Sequence, residues 1–143
     1  MVLGFFMNKD MMLYLHVLLG VAVVFLAVVM FFQLGRGKAS RGVAVLVAFV
    51  SWVQLLPSAI TYIVFYPATK TVIKAGAWPW AHSVIMETKE HWGILLPVIA
   101  TTAAGLVWVG RGKESRKWWL LLVVVAVLMG VMGRIVKMGA LQR

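Results

Sequence analysis

Four long apolar runs separated by short polar stretches organise this chain. They cover about residues 11–34, 42–66, 91–109 and 118–136. Crossing the hydrocarbon of a bilayer takes roughly 20 helical residues at about 1.5 Å each, and every run reaches that length or close to it. Within each run the apolar residues are continuous rather than alternating, which favours helices over barrel strands. An amphipathic turn from Val84 to Glu90 leads into the third run. The pattern predicts an all-α membrane protein, a bundle of four transmembrane helices forming a single domain.

The polar stretches are unequal. Gly35 to Arg41 joins the first two runs and Gly110 to Arg116 joins the last two; both are short and basic. The middle stretch, 67–90, reads as a longer connection in which Trp78-Pro79-Trp80 suits an interfacial anchor or lid. A shift of 75 residues lays Leu34–Arg41 on Val109–Arg116 with only Leu34/Val109 and Ala39/Glu114 differing, and the same shift lays His16 on His91. This predicts two tandem hairpins, repeat 1 about 11–66 and repeat 2 about 86–141, related by a pseudo-two-fold along the membrane normal. Chance similarity of basic turns is the alternative.

Composition agrees with the pattern. Of 143 residues, 63% are hydrophobic and 13% charged, more apolar surface than a water-soluble domain of this size readily hides. The formal net charge of +10 does not point to nucleic acid, because the cations cluster between apolar runs as membrane flanks do. With no cysteine there is no disulfide, thiolate metal site or covalently attached c-type haem. The N-terminal stretch lacks the short core and small-residue cleavage site of a signal peptide, so the first helix is expected to be retained.

Cations prefer the cytoplasmic side. The two short turns hold Arg36, Lys38, Arg41, Arg111, Lys113, Arg116 and Lys117; the other side holds Lys9, Lys70, Lys74, Lys89, Arg134, Lys137 and Arg143. The counts are equal, but density places the short turns inside. The expectation is a multi-pass protein of the plasma (inner) membrane with both termini and the 67–90 connection outside.

The intramembrane histidines carry the candidate chemistry. His16 and His91 each lie roughly 28 Å of helix from the basic turn that follows, so they share a depth. Their helical faces continue through Gly20 and through Gly105, which offer room. Across a pseudo-two-fold the imidazoles would face each other and hold a metal, or the iron of one haem b per chain. Arg134 and Lys137, at similar depth on the fourth run, are candidate partners for haem propionates. His82, with Trp80 and Tyr62, is an accessory candidate, either as proton relay or as a quinone-binding lip. Tyr62 and Tyr66 also suit an aromatic belt, Pro57 a kink, and Gln54 an interhelical hydrogen bond. Nine scattered methionines form no copper motif and read as packing. No phosphate loop, nucleophile–base pair or intramembrane carboxylate pair is present, which argues against a hydrolase or a carboxylate-based pump.

In its four spans and in His16 and His91, the chain resembles small b-type membrane cytochromes, in which histidines of a four-helix bundle clamp a haem. The resemblance implies an electron-transfer protein or oxidoreductase subunit rather than a self-contained enzyme. It would move electrons between the quinone pool and a redox partner protein on the outer face. Larger cytochromes of this type carry two haems and four histidines, and the second pair is missing here. Two other readings stand beside it: a non-catalytic membrane subunit or assembly factor with structural histidines, and a small metal-handling transporter. A homo- or hetero-oligomer is compatible with all three.

Overall fold

The computed structural model describes residues 8–142. It contains four helices long and apolar enough to cross a membrane: α1 (Lys9–Gly35), α2 (Arg41–Ala75), α3 (Ala81–Trp108) and α4 (Gly112–Leu141). They pack as a bundle whose main contacts run round the ring α1–α2–α3–α4 and back to α1. Helices α1 and α3 therefore lie on one diagonal. The central core joins Val23, Ala27 and Met30 of α1 to Ala44 and Val47 of α2, and to Leu122 and Val125 of α4. From α3 it takes Ala100, Ala103 and Ala104, small residues that let helix backbones approach closely, as membrane bundles require. Large apolar side chains such as Leu18, Phe25, Phe49, Ile63 and Val131 point outward. A lipid phase solvates such a surface and water does not. The chain is an integral, multi-pass membrane protein.

Local chemistry explains where the helices start and bend. Asn8 caps α1 by accepting from Met11 N at 3.0 Å, and Ser40 caps α2 by accepting from Val43 N at 3.3 Å. Each of the four prolines marks a departure from regular α-helix, because proline has no N–H to give to the preceding turn. Pro57 follows a break at Gln54, where Ser58 N reaches Gln54 O only at 3.4 Å; Pro97 follows a break at Ile94, where Val98 N reaches Ile94 O at the same 3.4 Å. A π-helical turn, Thr61–Phe65, precedes Pro67. A second, Ala81–Met86, follows Pro79.

The 67–90 stretch differs from the expected long connection. Helix α2 continues to Ala75 and α3 begins at Ala81, so residues 76–80 are all that join them. The extensions are held by a second apolar cluster in which Tyr66, Ile73, Ala81 and Val136 are buried against Tyr62, Trp78, Ile85 and Ile135. The end of α4 closes it: Ala77 N donates to Gln142 O at 3.3 Å, and Gly76 is pressed so close to that carbonyl that a Cβ would collide. Helix α2 is thereby about 52 Å long, against about 30 Å of hydrocarbon. Part of the bundle therefore stands beyond the hydrocarbon at the end opposite the basic turns.

Candidate functional site

His16 lies half-buried on the inward stripe of α1, which continues through Gly20 to the fully buried Val23 and Ala27. Its Nδ1 is buried and has no hydrogen-bond partner among the described residues. Gln54 sits at the break in α2 before Pro57. The Gln54 side chain fills the space beside Gly20: a Cβ there would meet Nε2 at 3.0 Å.

His91 is placed differently. It is exposed, and its Nδ1 bonds the Glu87 carbonyl oxygen one turn back on the same helix at 2.6 Å. The rest of its stripe, Ile94, Leu95, Val98, Thr102 and Gly105, is exposed too, and a Cβ on Gly105 would meet nothing. The inward face of α3 is instead Leu96, Ile99, Ala100, Ala103 and Val107. His16 thus faces the core while His91 faces outward, and the expected pair of opposed imidazoles does not form within one chain. Arg134 and Lys137 are also exposed, and neither is in an ion pair among the described residues. The space expected at Gly20 is taken by Gln54, and the space at Gly105 opens outward. One histidine facing the core is not a donor set that clamps a haem inside this bundle.

What the fold does bring together centres on His82, expected in a loop as an accessory. It is 2% exposed, on the π-helical start of α3. Tyr66 Oη and His82 Nδ1 share a buried hydrogen bond of 3.0 Å. On the other edge of the ring, Nε2 is 3.6 Å from the Glu87 carboxylate, which is exposed. With the ring proton on Nε2, facing Glu87, Nδ1 accepts from the Tyr66 hydroxyl. Tyr62 stacks on Tyr66 with ring centroids 5.4 Å apart. Trp80 is exposed and stacks on Trp78, which packs against the Tyr66 cluster.

The two π-helical turns position this group. A π turn holds an extra residue and shifts the side chains after it, and such turns recur at functional sites. Here one lies just before Tyr66 and the other carries His82 itself. Counting along α2 from Arg41 and along α3 back from Trp108, Tyr66 and His82 lie about 37–39 Å from the basic end. That is the far headgroup region of a bilayer. Tyr62 and Glu90 lie about 27–32 Å away, at the edge of the hydrocarbon.

The run pattern gives Tyr66 to the aromatic belt and gives Glu87 no role. The signal was present: Tyr62, Tyr66 and Ile73 recur at helical spacing across the start of the supposed loop. No protein-family model, curated protein or solved structure matches the chain.

Proposed function

We propose that this membrane protein is a redox subunit that exchanges protons with a quinone-class carrier at the end opposite its basic turns. The observation that carries the reading is the chain Tyr66–His82–Glu87, which leads from a buried phenol through an imidazole to an exposed carboxylate. Reducing a quinone to a quinol takes up a proton for each electron, so its site needs acid–base groups at the membrane edge. Imidazole is the side chain best suited to that exchange near neutral pH. Held by the Tyr66 hydroxyl at Nδ1, the His82 ring has its Nε2–H left to donate to a quinone carbonyl, and the flanking tryptophans offer apolar surface to the quinone ring.

Fluorescence tests this directly, since Trp78 and Trp80 stand beside the cluster. Decyl-ubiquinone titrated into the purified protein in nanodiscs should quench tryptophan emission saturably. His82→Phe and Tyr66→Phe should weaken the apparent affinity at least about tenfold, the equivalent of one strong hydrogen bond. Quenching that is linear in quinone and indifferent to both substitutions would sink the proposal.

A second reading keeps electron transfer by haem b and moves its ligation to a pair of chains. The exposed His91 favours it. Its Nδ1 is held by a backbone carbonyl, as is usual for ligating histidines, and its Nε2 has no partner among the described residues. Protein from haem-replete cells should then show a reduced Soret band that His91→Ala abolishes and His16→Ala leaves intact. A colourless protein ends this reading.

A further inference from the structure

Three buried polar atoms lie along the seam between α1 and α2, and none has a partner among the described residues: His16 Nδ1, Gln54 Oε1 and Thr61 Oγ1. Gln54 and Thr61 are two turns apart and share a face of α2. That face meets α1, since the Gln54 amide lies against Gly20 and the Thr61–Phe65 turn packs on the same helix. A fourth polar group enters from the opposite side. Lys89 extends from α3 along Gly133 of α4, where a Cβ would stand 3.5 Å from Lys89 Cε. No carboxylate lies within ion-pair distance of Lys89 among the described residues.

An unpartnered buried polar atom costs about 1–3 kcal/mol, and the four groups together define what would satisfy them. The Gln54 oxygen accepts, the Thr61 hydroxyl and the neutral His16 ring can each donate and accept, and Lys89 donates, yet no bond between them is formed. A metal cation would suit the oxygens and the imidazole but is repelled by the ammonium. An anion would suit the ammonium and the Thr61 hydroxyl but faces the Gln54 oxygen, which only accepts. Water both donates and accepts, and a site with several polar partners retains it.

We infer that the α1–α2 seam holds a chain of ordered water linking His16, Gln54, Thr61 and Lys89, a hydrated half-channel entering from the end that carries Tyr66 and His82. Its outer mouth lies beside Tyr62, which stacks on Tyr66. Its inner end is at Gln54, about 20 Å along α2 from Arg41. Beyond Gln54 the packed layer of Val23, Ala27, Met30, Ala44 and Val47 closes the path. The half-channel gives the buried His16 ring access to protons from one side of the membrane only. It shares its outer end with the proposed quinone site and does not depend on quinone binding.

Water-edited solid-state NMR on the full labelled chain in lipid vesicles reads the inference directly. Magnetisation from water should reach the His16, Gln54 and Thr61 side chains within a few milliseconds and should not reach Val23, Ala27 or Met30 in that time. The Thr61→Val, Gln54→Leu double variant should lower the transfer to His16 severalfold. Its methyl spectrum shows whether the bundle is intact, and the wild-type spectrum decides the matter if it is not. Wild-type His16 and Thr61 as dry as Ala27 would overturn the half-channel. A wet seam in a protein that binds no quinone would overturn only the functional reading.

Discussion

The His16 stripe of α1 and the His91 stripe of α3 stand at the same offset from nearly identical basic turns, yet one faces the core and the other faces out. The turns explain the difference. After α1 the left-handed glycine is Gly37, with φ 71°; after α3 it is Gly110, with φ 81°. On the 75-residue offset Gly37 matches Gly112, so the second turn comes two residues early. At 3.6 residues per turn, two residues rotate a helix by about 200°, which carries a stripe from one side to nearly the opposite one. The early turn follows from one of the two differences between the segments. Glu114 replaces Ala39, and its carboxylate accepts from Arg111 Nε at 2.8 Å. A carboxylate in the first turn favours a helix N-terminus, so α4 starts at Gly112 while α2 waits for the Ser40 cap. Ser115, the counterpart of Ser40, caps nothing and donates instead to Ala103 O at 3.0 Å. A matched motif therefore preserves depth along a helix without preserving its rotation.

The contrast between inward and outward faces can be broken most strongly on α3 itself. Ala103→Leu forces a larger side chain into the closed core and should destabilise the bundle by about 1–3 kcal/mol. Gly105→Leu, on the His91 stripe, meets open space and should cost nothing, gaining about 0.5–1 kcal/mol from the helix backbone instead. Reversible unfolding in mixed micelles measures both, and equal losses would mean that the rotation of α3 is misassigned. The histidines offer the next test. His82→Phe leaves the Tyr66 hydroxyl buried and unpaired, at a cost of about 1–3 kcal/mol, whereas His91→Phe should change stability by no more than about 0.5 kcal/mol.

Smaller effects sharpen the comparison at the glycines. Gly105→Ala meets open space and should stabilise α3 by about 0.5–1 kcal/mol through the backbone term alone. Gly20→Ala should show less of that gain, because the Gln54 amide has to move from 3.0 Å. The subtlest test is Glu114→Ala, which makes the second turn resemble the first. Amide hydrogen exchange at residues 112–115 should quicken while exchange at the start of α2 stays unchanged. Unaltered protection at 112–115 would separate Glu114 from the early start of α4.

Much of the fold is legible in the run pattern: the four spans, the tight basic turns and the kink at Pro57 all follow from local chemistry. The extensions of α2 and α3 through 67–75 and 81–90 are harder to read. Lys70, Lys74, Glu87, Lys89 and Glu90 give them the polarity of a loop, while the apolar stripe that makes them helical is thin and needs the end of α4 to cover it. The candidate site was legible only as a set of residue types. His82 was visible as a histidine with no repeat mate, and its burial against Tyr66 depends on a hairpin whose two strands of helix are sixteen residues apart in sequence.

By itself the sequence determined the membrane class and the number of spans. Those properties depend on apolar run length and helical rise, which are set one segment at a time. Only the tertiary structure decided which way each polar residue points. Rotation depends on where a turn closes and which neighbour covers a face, and a two-residue difference is enough to reverse it. That is why His16 and His91 part company, and why His82 meets Tyr66.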